Sequence, residues 1–336
     1  MTEHRPIKKA SSILERAADI FGTDPLANAP TIDLSRLPPE RAKSARRVKP
    51  APETAAPAVS VSTDPVAAPV AAPAASRVKD IARAALAITA GRHGTINAAR
   101  LVERGMIVPG SPVTGIAEEY RIVKRELIRN IVGGPGRPVM PRGHRVLIAS
   151  ANPGEGKTFS AVNLALSLAA EADYDVLLID ADIAKPSVIK LLGLDDGPGL
   201  MDALADPHLS LGDCIIQTDL PRLKVMPAGQ STHGDTEMLA SARTEVLLSA
   251  LEAGAPGRIL IIDSPPILAA SPATVLAGHV GQLIMVVRAD ETREAALRDA
   301  VGLVGACPNI QLLLNGVKFS PGGRRFGTYY GQGGAE

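Results

Sequence analysis

The segment R-V-L-I-A-S-A-N-P-G-E-G-K-T-F-S-A-V-N-L-A-L-S-L-A, residues 145–169, runs from a continuous apolar stretch through a glycine-bearing turn into an apolar helical pattern. An apolar run of this length, followed by a helix, is the pattern of a parallel strand buried on both faces. Between strand and helix, A-N-P-G-E-G-K-T (151–158) keeps the spacing of the Walker A motif G-x-x-x-x-G-K-[ST], with Ala151 in place of the first glycine. Glycines let backbone N–H groups curl around phosphate oxygens, and the helix N-terminus adds the positive end of its dipole. Lys157 then reaches the β- and γ-phosphate oxygens, and the Thr158 hydroxyl is an oxygen ligand suited to Mg²⁺. The alternative is a fortuitous glycine-rich turn, against which both flanks argue.

Downstream, strands and helices alternate: D-V-L-L-I-D, R-L-K-V-M-P-A, a helix from about Glu237 to Glu252, R-I-L-I-I-D, G-Q-L-I-M-V-V, a further helix, and I-Q-L-L-L-N. This order predicts a doubly wound, mostly parallel α/β sheet. Ligands of such sheets bind at the carboxyl ends of the strands, where three runs terminate in Ser150, Asp180 and Asp263. Asp180 and Asp182, two apart, are expected on one face of extended chain, where two carboxylates need a cation between them. Asp263, closing I-L-I-I-D, has the place of a Walker B residue that orients Mg²⁺ or its waters. Each of the three equally reads as a cap for the helix that follows.

Composition sets outer bounds. With 36 Lys and Arg against 35 Asp and Glu, no global field favours nucleic acid or an anionic membrane. The two cysteines, Cys214 and Cys307, are far apart and form no disulfide framework or zinc motif. The polar start M-T-E-H-R-P-I-K-K leads into no signal-peptide or membrane-span run, so a cytoplasmic setting is expected. Before the main domain, Ile13, Leu14, Ala17, Ala18 and Phe21 mark a short helix over 11–21, and the Ala/Pro-rich stretch 50–76 is too poor in large apolar groups to build a core. The expected organisation is a short helix and flexible linker (1–80), a helical extension (81–140), a core domain (141–318) and a flexible tail (319–336). In the extension, Ile116, Tyr120, Val123, Leu127, Ile128 and Ile131 form one helical face. Two of the four tyrosines, Tyr329 and Tyr330, lie in the glycine-rich tail, where no apolar pattern holds them in a core.

The P-G-E-G-K-T loop, the D-A-D strand end, I-I-D-S-P-P, E-M-L-A-S at 237–241 and the tyrosine cluster together resemble the P-loop bacterial tyrosine kinases, or BY-kinases. S-S-I-L-E-R-A-A at 11–18 resembles the branch encoded beside exosortase and exopolysaccharide genes. The resemblance covers roughly residue 101 to the C-terminus and implies a P-loop NTPase of the deviant Walker A, MinD/ParA-like type with a disordered N-terminal region. It implies ATP and Mg²⁺ as cofactors, with Lys157, Asp180, Asp182 and Asp263 catalytic and Thr158, Asp180 and Asp263 ordering the metal. Nucleotide contacts are implied for Asn152, Pro153, Gly154, Glu155, Gly156, Lys157, Thr158 and Phe159, while Asn315 reads either as an adenine contact or as a turn former. Autophosphorylation is implied at Tyr329 and Tyr330, in trans within a ring joined by E-x-x-R-x-x-R, matched here by Glu118, Arg121 and Lys124. Lys in the last position lacks the planar fork of Arg. After the aspartates, Ala184 and Lys185 stand where many members have Arg.

The implied partners are a membrane polysaccharide co-polymerase of the Wzz/CapA chain-length-regulator type, which recruits the chain to the inner face of the plasma membrane, and a cognate tyrosine phosphatase, with no nucleic acid. Two other readings stand beside this one. A MinD/ParA-like regulatory ATPase would carry Lys at the position of Asn152, and a non-catalytic nucleotide-binding scaffold would have no need of the full set of charged residues.

Overall fold

The computed structural model describes residues 91–317. The expected N-terminal helix, the linker and the tail with Tyr329 and Tyr330 lie outside the described residues. In chain order the elements are β1 (Arg92–Gly94), α1 (Ala98–Glu103), α2 (Gly115–Val132), β2 (Arg145–Ser150), α3 (Lys157–Ala169), β3 (Asp175–Asp180), α4 (Val188–Leu192), α5 (Leu200–Ala205) and β4 (Ile216–Thr218). They continue with β5 (Leu223–Met226), α6 (Asp235–Leu239), α7 (Ala242–Ala253), β6 (Arg258–Asp263), α8 (Pro272–Ala277), β7 (Gln282–Arg288), α9 (Glu294–Leu303) and β8 (Ile310–Asn315).

The strands form one eight-stranded sheet in the order β1-β4-β5-β3-β6-β2-β7-β8, with every pairing parallel except β4 to β5. Side chains alternate faces along each strand. Val146, Ile148, Val176, Leu178, Ile259, Ile261, Ile284 and Val286 enter one core, under α2, α3 and α4. Leu147, Ala149, Leu177, Ile179, Leu260, Ile262, Leu283 and Met285 enter the other, under α5, α7, α8 and α9. Both faces are dry, which is why these strands read as unbroken apolar runs.

The winding reverses at β2. The connection after β2 passes over β6 to reach β3, whereas the later connection from β6 passes β2 on the other face to reach β7. Such a reversal opens a crevice above the carboxyl ends of the strands. Register places the charged residues there, since Asp263 of β6 lies opposite Asp180 of β3 and opposite Ile148 of β2, two residues before that strand ends.

Two expectations about the elements need correction. The segment 81–140, read as a helical extension, carries β1, whose three residues R-H-G pair with β4 and extend the sheet. Three polar or small residues give no periodic signal, so the strand was invisible in the sequence. Its helix α2, capped by the Thr114 hydroxyl and ended at Gly133, buries Tyr120, Leu127 and Ile131 in the same cluster as α3. A buried amide bridge reinforces the contact: Asn130 Nδ2 donates to Gln282 Oε1 at 2.7 Å, and Gln282 Nε2 donates to the Gly143 carbonyl at 2.7 Å. Residues 92–132 are therefore part of the main fold. The expected helix from Glu237 to Glu252 is also two helices, α6 and α7, broken at Ala240–Ser241.

Leu127 is 1% exposed. Leu127→Ala is expected to cost about 2–5 kcal/mol through lost burial and a residual cavity. The check is urea denaturation, where the whole folded domain shifts to a lower midpoint in one transition. An unchanged midpoint would show that α2 is a detachable extension.

Candidate active site

The loop after β2 is shaped by two glycines. Gly154 holds φ 84 and Gly156 holds φ 98, the left-handed region that only glycine enters at little cost. A Cβ on Gly156 would stand 2.1 Å from Asn315 Nδ2, so space as well as conformation excludes a side chain. Gly156 is also the N-cap of α3 and has no side chain to satisfy the first-turn amides. Those N–H groups, with the helix dipole behind them, point at an anion site.

Lys157 Nζ lies 2.6 Å from Asp182 Oδ2, and both side chains are nearly buried. The same ammonium is 3.5 Å from the Thr158 hydroxyl, which in turn lies 3.3 Å from the Ser187 hydroxyl. Asp180 is fully buried, and both of its oxygens are occupied: Oδ1 accepts from the Asp182 amide at 3.1 Å, and Oδ2 accepts from the Ser187 and Val188 amides at 2.9 and 3.0 Å. Burial pushes its carboxyl up to about 6 while these amides pull it down. Asp263 is fully buried as well, yet neither oxygen has a hydrogen-bond partner. The Thr158 hydroxyl faces it without reaching ordinary hydrogen-bond geometry. Burial, opposed by the charge of Lys157 and assisted by that of Asp180, pushes Asp263 up to about 7.

The three aspartates expected from the sequence do converge beside the loop, but with different tasks. Asp180 and Asp182 do not share one extended face, because β3 ends at Asp180 and the alternation stops with it. Asp180 binds the backbone at the start of α4 through three amide bonds, which leaves its carboxylate with acceptor capacity on Oδ1 toward the expected metal. Asp182 holds Lys157, and Asp263 is left orphaned.

Other expected site residues have contacts within the fold. Phe159, in the first turn of α3, is partly buried against the core on that side of the sheet. Asn315 Nδ2 donates to the Glu155 carbonyl at 2.9 Å and props the loop. Lys124 is 6% exposed; it donates to the Ser167 carbonyl at 2.8 Å and pairs with Glu171 at 2.6 Å. It ties α2 to α3 inside the chain, whereas Glu118 and Arg121 pair with each other nearer the surface. Ser187 and Thr292 were missed, because each meets the loop only through folding, from 29 and 137 residues away in sequence.

A glycine-shaped loop at the carboxyl end of the switch strand, with Lys157, Thr158 and a buried strand-end aspartate, defines a P-loop nucleotide-binding protein. The ParA family model, described as NUBPL iron-transfer P-loop NTPase, matches residues 142–311. Tyrosine-protein kinase YwqD of Bacillus subtilis (strain 168) is 30% identical over 221 residues, covering 65% of this chain and 89% of the relative. Putative tyrosine-protein kinase EpsB of Ralstonia nicotianae is 31% identical over 156 residues, which cover 46% of this chain and 20% of that longer protein. The kinase domain of Escherichia coli tyrosine kinase ETK superposes with a TM-score of 0.54 at 22% identity, covering 71% of this chain and 94% of that one, and shows the shared fold. The chain belongs to the P-loop bacterial tyrosine-protein kinases, the BY-kinase family.

Asp263 gives a pH test. In the folded chain it keeps its proton up to about pH 7, against 3.8 for an ordinary carboxyl. The folded state therefore binds more protons than the unfolded state across that window, and its stability falls as pH rises through it. In the nucleotide-free protein, Asp263→Asn is expected to raise the melting temperature by several degrees at pH 7.5 and by much less at pH 5. Equal shifts at both values, measured by thermal denaturation, would contradict the assignment.

Proposed function

We propose that this chain is a protein-tyrosine autokinase that transfers the γ-phosphate of ATP to Tyr329 and Tyr330 in trans. The carrying observation is the orphaned Asp263 carboxylate, buried beside Thr158 and Lys157 at the mouth of the phosphate loop. An ionised carboxylate there repels a triphosphate unless a cation stands between them. Among the described residues no group of three His, Cys, Asp or Glu side chains is arranged to hold a metal ion. That fits Mg²⁺ arriving with nucleotide, since this cation is commonly held by one or two protein groups plus phosphate oxygens. Thr158 and Asp263 would hold it, and when bound it neutralises charge on the β- and γ-phosphates.

The remaining residues position the reactants and move a proton. Loop amides at the start of α3 bind phosphate oxygens. Lys157 turns from Asp182 to the phosphates, which frees the Asp182 carboxylate. A tyrosine hydroxyl, with a pKa of about 10, attacks poorly without help. As the phenolic oxygen forms its bond to the γ-phosphorus and the bond to the bridging oxygen of ADP breaks, Asp182 takes the phenolic proton. Asp180 keeps the backbone of 182–188 in place by its three amide bonds.

The wider setting rests on the family resemblance. The proposal includes control of exopolysaccharide polymerisation and export, a ring in which Glu118 and Arg121 contribute to subunit contact, a membrane co-polymerase as partner, and a phosphatase that resets the tail. Among the described residues no helix is long and apolar enough to cross a membrane. A cytoplasmic protein brought to the membrane by that partner accommodates this.

Purified protein with ATP and Mg²⁺ is expected to accumulate phosphotyrosine, detected by mass spectrometry at residues 329 and 330. Lys157→Met and the Tyr329→Phe/Tyr330→Phe double variant are expected to accumulate none, and Asp182→Asn to lose on the order of 10²-fold or more in kcat. Nucleotide turnover without phosphotyrosine, with the membrane partner present, would instead identify a regulatory ATPase.

A further inference from the structure

Glu155 occupies the variable position of the loop between two glycines, yet it is only 5% exposed. Its Oε2 accepts from the Asn152 amide at 2.9 Å, and its Oε1 accepts from Asn152 Nδ2 at 3.0 Å and from the Thr292 hydroxyl at 2.7 Å. Its backbone carbonyl accepts from Asn315 Nδ2 at 2.9 Å. The two distant donors come from different places: Thr292 from the loop between β7 and α9, and Asn315 from the end of β8. Those two ends are themselves joined, since the Ala289 amide donates to the Asn315 carbonyl at 2.9 Å. The Thr292 hydroxyl also accepts from the Arg288 amide at 2.9 Å, and the Thr292 amide donates to the Arg288 carbonyl at 3.0 Å. The turn so closed contains Asp290 at φ 61, a conformation costly for a residue with a Cβ.

A surface-loop glutamate with no structural task would extend into solvent. Here the carboxyl group is inside, holding a strained turn against the phosphate loop. Among the described residues no Lys, Arg or His forms an ion pair with it, so its partners are the Asn152 and Thr292 donors alone.

We infer that Glu155 is a positioning residue that fastens the β7–α9 turn and the β8 end to the phosphate loop, so that the part of the crevice extending beyond the phosphates is preformed before nucleotide enters. The inference rests on nucleotide binding by that loop, as proposed above. Glu155 does not touch the reacting atoms. Its effect is on affinity: with the Thr292 tie cut, the turn must be ordered each time nucleotide binds, and that ordering weakens binding. Phosphoryl transfer from the bound state, governed by Lys157 and the aspartates, is left nearly intact.

The test titrates the full chain with mant-ADP and Mg²⁺ and, in parallel, measures KM for ATP and kcat for tyrosine phosphorylation. Thr292→Val is expected to weaken mant-ADP about tenfold and raise KM similarly, with kcat within about threefold. Thr292→Ser, which restores the hydroxyl, is expected to return within about twofold of the parent chain. Glu155→Leu, which removes every acceptor, is expected to weaken binding at least as much as Thr292→Val, and Glu155→Leu/Thr292→Val to be no weaker than Glu155→Leu alone, because the Thr292 link is already lost. The inference is overturned if Thr292→Val binds as the parent does, if Thr292→Ser fails to restore binding, if the two effects add, or if kcat falls at unchanged KM. Mant-ADP binding needs no phosphoryl transfer. A chain that bound nucleotide and formed no phosphotyrosine would sink the kinase reading while this test still gave its answer.

Discussion

Three carboxylates, Asp180, Asp182 and Asp263, are buried around a single ammonium group, Lys157, and the protein cannot leave them all ionised and unpaired. It resolves the conflict differently for each. Asp180 is solvated by backbone amides, Asp182 by the lysine, and Asp263 by neither, so that burial drives it toward holding its proton. On the proposed function, a cation entering with nucleotide would complete the arrangement, and the amides of the adjoining helix start would accommodate the anion that brings it.

The sheet makes this conflict unavoidable. Parallel pairing of β3, β6 and β2 brings their carboxyl ends to one level, and Asp180 and Asp263 are direct cross-strand neighbours. Like charges in that position destabilise a sheet unless something compensates. Two dry cores hold the register, since a slip of one residue would exchange Leu147 and Ile262 with Ile148 and Ile261 between faces. Stability of the fold and strain of the site thus have one source. The helix α3 couples them further: its first turn closes the phosphate loop, while its flank is locked to α2 by Lys124 and to the α1–α2 connection by Asn163, whose Oδ1 accepts from the Ile107 amide at 2.8 Å.

Much of this was legible in the sequence for a physical reason. A backbone that wraps phosphate needs glycines at fixed intervals, and strands buried on both faces must be apolar throughout, so residues 145–169 declare both fold and site. The same reasoning located Asp180, Asp182 and Asp263. It put Asp180 and Asp182 on one face, because side-chain alternation was extended past the end of β3. Spacing along α2 reads Lys124 as part of a solvated face, because it gives a helical face but not what packs on it; the fold buries that ammonium against α3. The strands β1 and β4, three residues each, are too short to show a period. The tie between Glu155 and Thr292 spans 137 residues, and no local pattern carries such information.

The central claim is that the orphaned Asp263 carboxyl gives up its proton when a nucleotide-borne cation binds beside it. Calorimetric titration of the full chain near pH 7, in two buffers of different ionisation enthalpy, counts that proton directly. Net release of a fraction of a proton is expected with Mg²⁺ and ADP together, and none, or uptake, with ADP and a chelator. Identical proton balance in the two titrations would contradict it.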